Sequence, residues 1–298
     1  MQADAPREWS VAELAKWATD DFRARGLESP RLEAELIVAF ALGITRVDVI
    51  VRGDRTLTPP ELARLRELVK RRRAHEPMAY LRGEREFYGR VFKVDRRVLV
   101  PRPDTETLVD VALARTPDFA LGGRVLDLCT GSGCVAITLA RQRPTTDVVA
   151  TDVSADALAV ARENAVRLGA YNVSFLHGDL TKALEGARLP WSPLRFELIV
   201  SNPPYIATGE CDRLMPDVRD FEPRVALDGG PDGLDFYRRI AQDAPPLLAR
   251  EGVLAVEVGA GEAHDVAALF AEAGLRDVEI TRDLGRIERV VAGRRAPS

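Results

Sequence analysis

The first 75 residues place their apolar positions at helical spacing. Ser10 with Glu13 makes a capping box ahead of an amphipathic run that reaches about Arg25. Ser29 before Pro30 reads as an N-cap followed by proline at the first helical position, and Gly43 stops that helix. Thr58 with Glu61 is a second capping box, opening a helix to about Ala74. A small helical bundle is the simplest fold for this stretch. The pattern changes at residues 82–100. There "RGEREFYGRVFKVDRRVLV" alternates apolar and polar positions around Gly89 and Asp95, which predicts a β-hairpin. Pro101 and Pro103 punctuate it, and a helix to about Arg115 follows.

From Arg124 on, strand patterns alternate with helix patterns. Strands are expected at 124–128, 147–152, 173–177, 196–201, 252–258, 276–282 and 287–292. Helices are expected at 134–142, 155–168, 233–250 and 261–273. Short apolar strands alternating with helices predict an α/β fold, a mostly parallel sheet covered on both faces. The last two strands are too close for a helix between them, so they should pair antiparallel at one edge.

A length of 298 residues suggests two domains. With 46% apolar and 30% charged residues, the chain is too hydrophobic to be disordered throughout. It holds no run near the roughly 18 apolar residues of a membrane span. Residues 1–17 scatter charges and contain no apolar core, so no secretory signal is expected. Cys129, Cys134 and Cys211 show no CxxC spacing, and His75, His177 and His264 lie far apart. No zinc template or disulfide framework follows. A reduced, cytoplasmic compartment is the expectation. Net charge is −4, but the halves differ. Residues 1–116 hold 22 Lys+Arg against 19 Asp+Glu, and residues 117–298 hold 20 against 27. A DNA-holding protein usually shows a basic domain. This chain offers at most a local basic strip in its first half.

"VLDLCTGSGCVAITLA" reads as a strand, a turn through Thr130, Gly131, Ser132 and Gly133, and a helix. Glycines there permit positive φ and close approach of a ligand to the backbone. Ligands of open α/β sheets sit beyond the carboxyl ends of strands. The spacing of Gly131, Gly133 and Ala136 also satisfies a dinucleotide fingerprint. Asp152, 19 residues past Gly133, falls where a ribose-binding acid belongs. An NAD enzyme must therefore be weighed. Adenosylmethionine presents the same ribose diol, and two features favour it. Asp127 precedes the turn, giving a motif like the DxGxGxG of class I methyltransferases. "HGDL" at 177–180 supplies a further acidic strand end, where that class contacts adenine.

"FELIVSNPPYI" puts Asn202-Pro203-Pro204-Tyr205 directly after the fourth strand. Two prolines fix φ twice and remove two N–H donors. What remains is rich in acceptors: the Asn202 side-chain oxygen and the Pro203 carbonyl, suited to a planar NH2 group. Tyr205 offers a flat face for stacking. Such a nitrogen is hard to methylate, because an amide lone pair is delocalised behind a rotation barrier of about 18–20 kcal/mol. Two hydrogen bonds to a nitrogen turning positive, at about 1.5–3 kcal/mol each, fall short of that. Alignment with the methyl group adds about 7–11 kcal/mol, and a sulfonium donor supplies the rest. No general base is needed, because the methylated cation loses its proton to water. Adenine N6, guanine N2 and side-chain amides all fit the loop. A DNA adenine enzyme would also flip its base and carry a recognition domain.

The chain resembles the peptide-chain release factor glutamine N5-methyltransferases, the HemK/PrmC family. Four stretches carry the resemblance: "EPMAYLRGEREFYGRVFKVDRRVLVPRPDTETLVD" at 76–110, "VLDLCTGSG" at 125–133, "VSNPPYI" at 200–206 and "EPRVALDGGPDGLDFYRRI" at 222–240. It covers nearly the whole chain. The first and last stretches are the specific ones, since adenine methyltransferases lack them. The resemblance implies methyl transfer from S-adenosyl-L-methionine to the glutamine of the GGQ loop of class I release factors, leaving S-adenosyl-L-homocysteine. It implies a class I methyltransferase fold, Rossmann-like, with a mostly parallel seven-stranded sheet. The expected divisions are a helical substrate-recognition domain at 1–80, a hairpin linker at 81–103 and the catalytic domain at 104–298.

By position in that family, Thr130 to Gly133 would line the methionine and ribose part of the cofactor, with Asp127 and Cys129 beside them. Asp152 would bind the ribose hydroxyls. Asp179 and Leu180 would border the adenine. Asn202 and Pro203 would hold the glutamine amide, with Pro204 and Tyr205 packed nearby. Pro101, Arg102 and Pro103 would shape the substrate entrance. Three positions depart from the family pattern: Cys129 for Gly, Asp104 for Glu, and Leu180 for an aromatic. A monomer is expected, with a release factor as partner and no DNA, membrane or metal. An N6-adenine methyltransferase using the same loop is the alternative. A non-catalytic factor that binds nucleotide and release factor is a third reading.

Weaker signals are the basic run Lys70–Arg73 after Arg64 and Arg66, the pair Phe87-Tyr88, and Trp9 with Trp17. The basic run reads as a solvated helix end complementing the dipole, or as a docking strip. The aromatics read as packing residues.

Overall fold

A computed structural model describes residues 8–116, 122–187, 189–192 and 194–296. Residues 1–7, part of the stretch inspected for a leader, lie outside the described residues. The chain divides into two units, Met1–Arg82 and Gly83–Ser298.

The first unit is helical: α1 (Val11–Ala24), α2 (Pro30–Leu42), α3 (Arg46–Val51), α4 (Pro59–Arg73) and α5 (Met78–Arg82). The capping signals explain the starts. Ser10 and Glu13 exchange bonds of 3.2 and 2.8 Å, satisfying two N–H groups at the head of α1. Gly43 ends α2 at φ 65°. The pattern missed α3, whose Thr45-x-x-Asp48 box uses a shorter acid than the usual Glu or Gln. Phe22, Ile37 and Leu65 are fully buried at the centre of this unit. Trp9 and Trp17 pack edge to face at 6.1 Å.

The second unit opens with the hairpin β1 (Glu84–Phe87) and β2 (Arg90–Lys93), antiparallel with Phe87 opposite Arg90. A one-turn 3-10 helix at Pro103–Thr105 leads into α6 (Glu106–Arg115). Then follow β3 (Arg124–Leu128), α7 (Cys134–Gln142), β4 (Asp147–Asp152), α8 (Ala155–Leu168), β5 (Val173–His177) and β6 (Phe196–Ser201). The short α9 (Thr208–Cys211) and α10 (Pro216–Arg219) precede α11 (Asp235–Asp243). The chain finishes with β7 (Leu248–Glu257), α12 (Ala263–Glu272), β8 (Leu275–Arg282) and β9 (Glu288–Arg295).

Seven strands form one sheet in the order β5-β4-β3-β6-β7-β9-β8. The first five in that order run parallel, and β9 runs antiparallel to both neighbours. The expected antiparallel pair is therefore present, with β8 at the edge and β9 inside it. Apolar side chains fill both faces of the sheet, which explains why β3, β6 and β7 read as nearly unbroken apolar runs. Strand order reverses between β3 and β6, the switch point where such sheets bind ligands.

One expected helix needs correction. The 233–250 pattern forms α11 only to Asp243, because Pro245 and Pro246 lack N–H donors and clash with a continuing helix. They make a 3-10 turn instead, and β7 starts at Leu248 rather than 252.

The hairpin packs in this unit, not outside it. Phe87 and Phe92 are fully buried in the layer beneath α6 and α7. Asn164 on α8 accepts from the Lys93 N–H at 2.7 Å and donates to the Lys93 and Ser132 carbonyls at 3.0 and 2.9 Å. One buried amide thus ties the hairpin to the glycine turn.

Candidate active site

The turn after β3 needs three residues in the left-handed region: Cys129 (φ 60°), Gly131 (φ 55°) and Gly133 (φ 81°). A side chain at the first, Cys129, carries strain of about 1 kcal/mol or more that a glycine would relieve. A Cβ on Gly133 would lie 2.8 Å from Ile137 Cδ1 and 3.2 Å from Ala161 Cβ, so glycine lets α7 and α8 close up. A Cβ on Gly131 would meet nothing within 4 Å, because its backbone faces open space. The turn is therefore a cradle with an empty side.

Two acids hold it. Asp127 is buried at the end of β3. One of its oxygens accepts the Thr130 hydroxyl at 2.6 Å and the Ala136 N–H at 3.2 Å. Burial pushes its carboxyl up to about 7, against those two bonds. Asp152 ends β4 and accepts the Gly131 N–H at 2.8 Å and the Ser154 N–H at 2.8 Å. Burial raises its carboxyl too, opposed by the backbone donors. Past β5, Asp179 pairs with Arg239 of α11 at 2.5 Å.

Asn202, Pro203, Pro204 and Tyr205 follow β6, across the switch point from the turn. The Asn202 Nδ2 donates to Thr105 Oγ1 at 3.1 Å. The chain beyond is clamped: Ile206 N–H donates to the Leu227 carbonyl at 2.9 Å, and Gly229 N–H to the Ile206 carbonyl at 2.8 Å. Here the "LDGGPDG" stretch acquires a role that its sequence did not reveal. A Cβ on Gly229 would lie 2.7 Å from Tyr205 Cα, and one on Gly233 2.5 Å from the Tyr205 carbonyl. Both glycines exist so that this loop can back the Pro-Pro turn. Gly229→Ala is expected to displace 203–205 and cut turnover about 10- to 100-fold. A methyl-transfer assay beside a circular-dichroism spectrum checks that the fold survives while activity falls.

One cavity joins these parts. Pro101, Arg102, Asp127, Cys129, Thr130, Gly131, Ser132, Asp152, Asp179, Leu180, Asn202 and Pro204 all line it. Pro103, Gly133, Pro203 and Tyr205, also singled out from sequence, are not among its lining residues. Tyr205 packs against the second apolar layer, where burial lifts its phenol to about 12. The ring is part-buried there. Leu180 sits at φ 50° and is nearly fully buried in the wall.

Sequence reasoning gave no role to Pro223, Val225, Ala226 and Phe236, which also line the cavity. They belong to the 222–240 stretch, so the signal was present without its meaning. Arg102 at the rim pairs with the buried Glu222 at 2.6 Å. Burial raises the Glu222 carboxyl and Arg102 opposes it. Arg97, the other cation in the wall, is held by Asp95 at 2.6 Å. Three acids line the cavity, and its two arginines are already paired.

The basic run of α4 is mostly consumed internally. Arg71 pairs with Glu76, Arg72 with Glu33 and Arg73 with Asp21, at 2.7, 2.7 and 2.8 Å. Among the described residues, no group of three or more His, Cys, Asp or Glu could hold a metal ion. Among them, no helix is long and apolar enough to cross a membrane.

A family model for the PrmC N-terminal domain matches residues 13–83, and one for the methyltransferase small domain matches residues 105–215. A release factor glutamine methyltransferase of Geobacter sulfurreducens is 44% identical over 98% of this chain and 99% of its own length. One from Neisseria gonorrhoeae is 43% identical over 89% of this chain and 93% of its own length. The hMettl16 catalytic domain, solved with an RNA hairpin, superposes with a TM-score of 0.55 over 82% of this chain and 86% of its own, at 15% identity. That last likeness is one of fold.

Proposed function

The chain belongs to the family of release factor glutamine methyltransferases, and from that premise we propose that it moves the methyl group of S-adenosyl-L-methionine onto the N5 side-chain nitrogen of the GGQ glutamine in class I peptide-chain release factors. The observation that carries the reading is the Asn202 amide. Its NH2 end is tied to Thr105, which leaves Oδ1 as an acceptor in the same cavity as the glycine cradle.

The donor set suits adenosylmethionine. The cofactor carries positive charge on sulfur, and the cavity carries Asp127, Asp152 and Asp179. A dinucleotide fits less well. Its pyrophosphate would seek the N-terminus of α7, where the Asp127 carboxylate already accepts the Ala136 N–H. In this reading Thr130 to Gly133 line the methionine and ribose, Asp152 takes the ribose hydroxyls, and Asp179 and Leu180 border the adenine. When bound, the cofactor supplies an electrophilic methyl group.

The protein's own residues do the remaining work. Asn202 Oδ1 and the Pro203 carbonyl accept the two N–H groups of the glutamine amide and turn its lone pair toward the cradle. Both acceptors gain strength as the nitrogen becomes positive, so they favour the transition state over the ground state. Pro101, Arg102 and Pro103 shape the entrance. The methylated nitrogen then gives its proton to water. Residues 1–80 hold the release factor, and the protein works as a cytoplasmic monomer.

Labelled adenosylmethionine is expected to mark an unmodified class I release factor, and to leave unmarked a factor whose GGQ glutamine is alanine. Label on DNA or RNA with none on the factor would transfer the reading to the adenine methyltransferase alternative.

A further inference from the structure

Two acceptors serve the proposed reaction, Asn202 Oδ1 and the Pro203 carbonyl, and their spacing must be fixed. A misplacement of about 1 Å can cost about 100-fold in rate. Yet residues 202–205 belong to no helix or strand. We infer that Glu222 is a positioning residue that sets this spacing through its ion pair with Arg102. The inference rests on the reading of Asn202 as the amide acceptor.

Three stretches of chain meet at this corner, each bonded to the next. In the first, Arg102 caps the 3-10 turn that ends at Thr105, and the Thr105 N–H donates to the Arg102 carbonyl at 3.2 Å. The second starts at Asn202, whose Nδ2 donates to Thr105 Oγ1 at 3.1 Å. The third runs from Glu222 to Gly230. Its Leu227 carbonyl accepts the Ile206 N–H at 2.9 Å, its Gly230 carbonyl accepts the Thr208 N–H at 2.8 Å, and its Gly229 N–H donates to the Ile206 carbonyl at 2.8 Å. Arg102 Nη2 donates to Glu222 Oε1 at 2.6 Å and so joins the third stretch back to the first. The Asn202 side chain therefore hangs on the first stretch, while the Pro203 carbonyl sits on backbone clamped by the third. The ion pair joins these two anchors. With it cut, Thr105 can drift with the Asn202 amide while Pro203 stays with the clamp, and the two acceptors lose their register.

Stability alone is a poor reason for such a pair. A buried ion pair is often no more stable than apolar side chains of the same volume. What it adds over an apolar contact is direction and a fixed length. The Glu222 side chain is 1% exposed and that of Arg102 34%, so the acid is sealed in while the base reaches the cavity wall. Glu222 Oε2 has no hydrogen-bond partner, which leaves Arg102 to hold the carboxylate. Phe221, next in the chain, takes the Arg96 guanidinium over its ring at 4.7 Å. That second contact runs along the same seam away from the cavity lining. It limits how far the stretches can part, so the expected loss is moderate.

The test uses the full chain with an unmodified class I release factor, measuring single-turnover rate, cofactor affinity and melting temperature. Glu222→Ala is expected to slow methylation about 10- to 30-fold, with cofactor affinity within about threefold of wild type. Glu222→Gln keeps an oxygen for Arg102, in a bond about half as strong, and should return to within about fivefold of wild type. Asn202→Ala removes one of the two acceptors whose spacing the pair sets. In that background Glu222→Ala should cost about threefold or less.

A purely structural role predicts a different split: lower melting, and the same fractional loss of rate with or without the Asn202 side chain. That result would overturn the inference, as would a Glu222→Ala enzyme that methylates at the wild-type rate. Should Glu222→Ala fail to fold, Arg102→Ala combined with Glu222→Ala takes its place in both backgrounds, since the double variant leaves no unpaired charge behind. An Asn202→Ala enzyme at the wild-type rate, or a wild-type enzyme that leaves the factor unmethylated, sinks the underlying reading. Both outcomes are seen without any Glu222 variant and so stay distinct.

Discussion

Asn202→Ala is expected to reduce kcat on an unmodified release factor by about 10²- to 10³-fold, while cofactor affinity stays within about threefold. The lost bond to a nitrogen gaining charge is worth about 1.5–3 kcal/mol, or about 10- to 150-fold in rate. A second loss comes from orientation. With Oδ1 gone, the Pro203 carbonyl alone holds the substrate amide, and a loosely held nitrogen forfeits part of the alignment advantage. The Asn202 side chain is bonded to Thr105 and not to the cradle at 130–133, which is why cofactor binding should persist. Asn202→Asp is no safe control. It would replace the NH2 that donates to Thr105 Oγ1 at 3.1 Å with a carboxylate oxygen that cannot donate. Single-turnover methylation with excess enzyme separates chemistry from release, and isothermal titration gives the affinity. A near-wild-type single-turnover rate would mean that the amide is not where the substrate nitrogen is held.

Much of the scaffold could be read locally, because each signal lies within a few residues. Strand and helix alternation gave the sheet, since both faces are covered and the strands are short and apolar. The caps at Ser10 and Thr58 worked because a capping box is a four-residue pattern. The same logic explains the failures. The helix drawn over 233–250 ignored Pro245-Pro246, a local stop that periodicity overrode.

Site residues that act by closure over distance were not readable at all. Thr105 meets Asn202 across 97 residues, Arg239 meets Asp179 across 60, and Arg102 meets Glu222 across 120. No composition or period announces such pairs. Gly229 and Gly233 belong to the same class. Their requirement for no side chain is set by the Tyr205 backbone some two dozen residues earlier, visible only once the loop is folded against it. The motif residues could be found because they are contiguous, and their partners could not because only topology brings them near.

Asp152→Ala is expected to weaken S-adenosyl-L-methionine binding about 100-fold, and to raise the cofactor KM by a similar factor, with kcat at saturation much less affected. Two separate effects combine. A carboxylate offers about four acceptor positions, and the N–H groups of Gly131 and Ser154 use two of them at 2.8 Å each. The other two are available to a ribose diol, whose bonds to a charged acceptor are worth about 1.5–3 kcal/mol each. Water partly replaces them in the variant, which brings the measured loss nearer 3 kcal/mol. The second effect is on the cradle. Without Asp152 the Gly131 N–H loses its partner, and the turn that must hold φ 55° is less firmly set. Asp152→Asn tells the two apart. An Asn amide has one acceptor end, so it can serve Gly131 or Ser154 but puts an NH2 against the other N–H. It should bind more weakly than wild type, though better than the alanine variant. The acid itself is raised by burial in the absence of ligand, so affinity should also decline as acidification protonates it. Titrations of wild type and both variants across acidic to neutral pH give all three quantities. An alanine variant that binds cofactor like wild type would remove Asp152 from the ribose site and leave it only the backbone of its own turn.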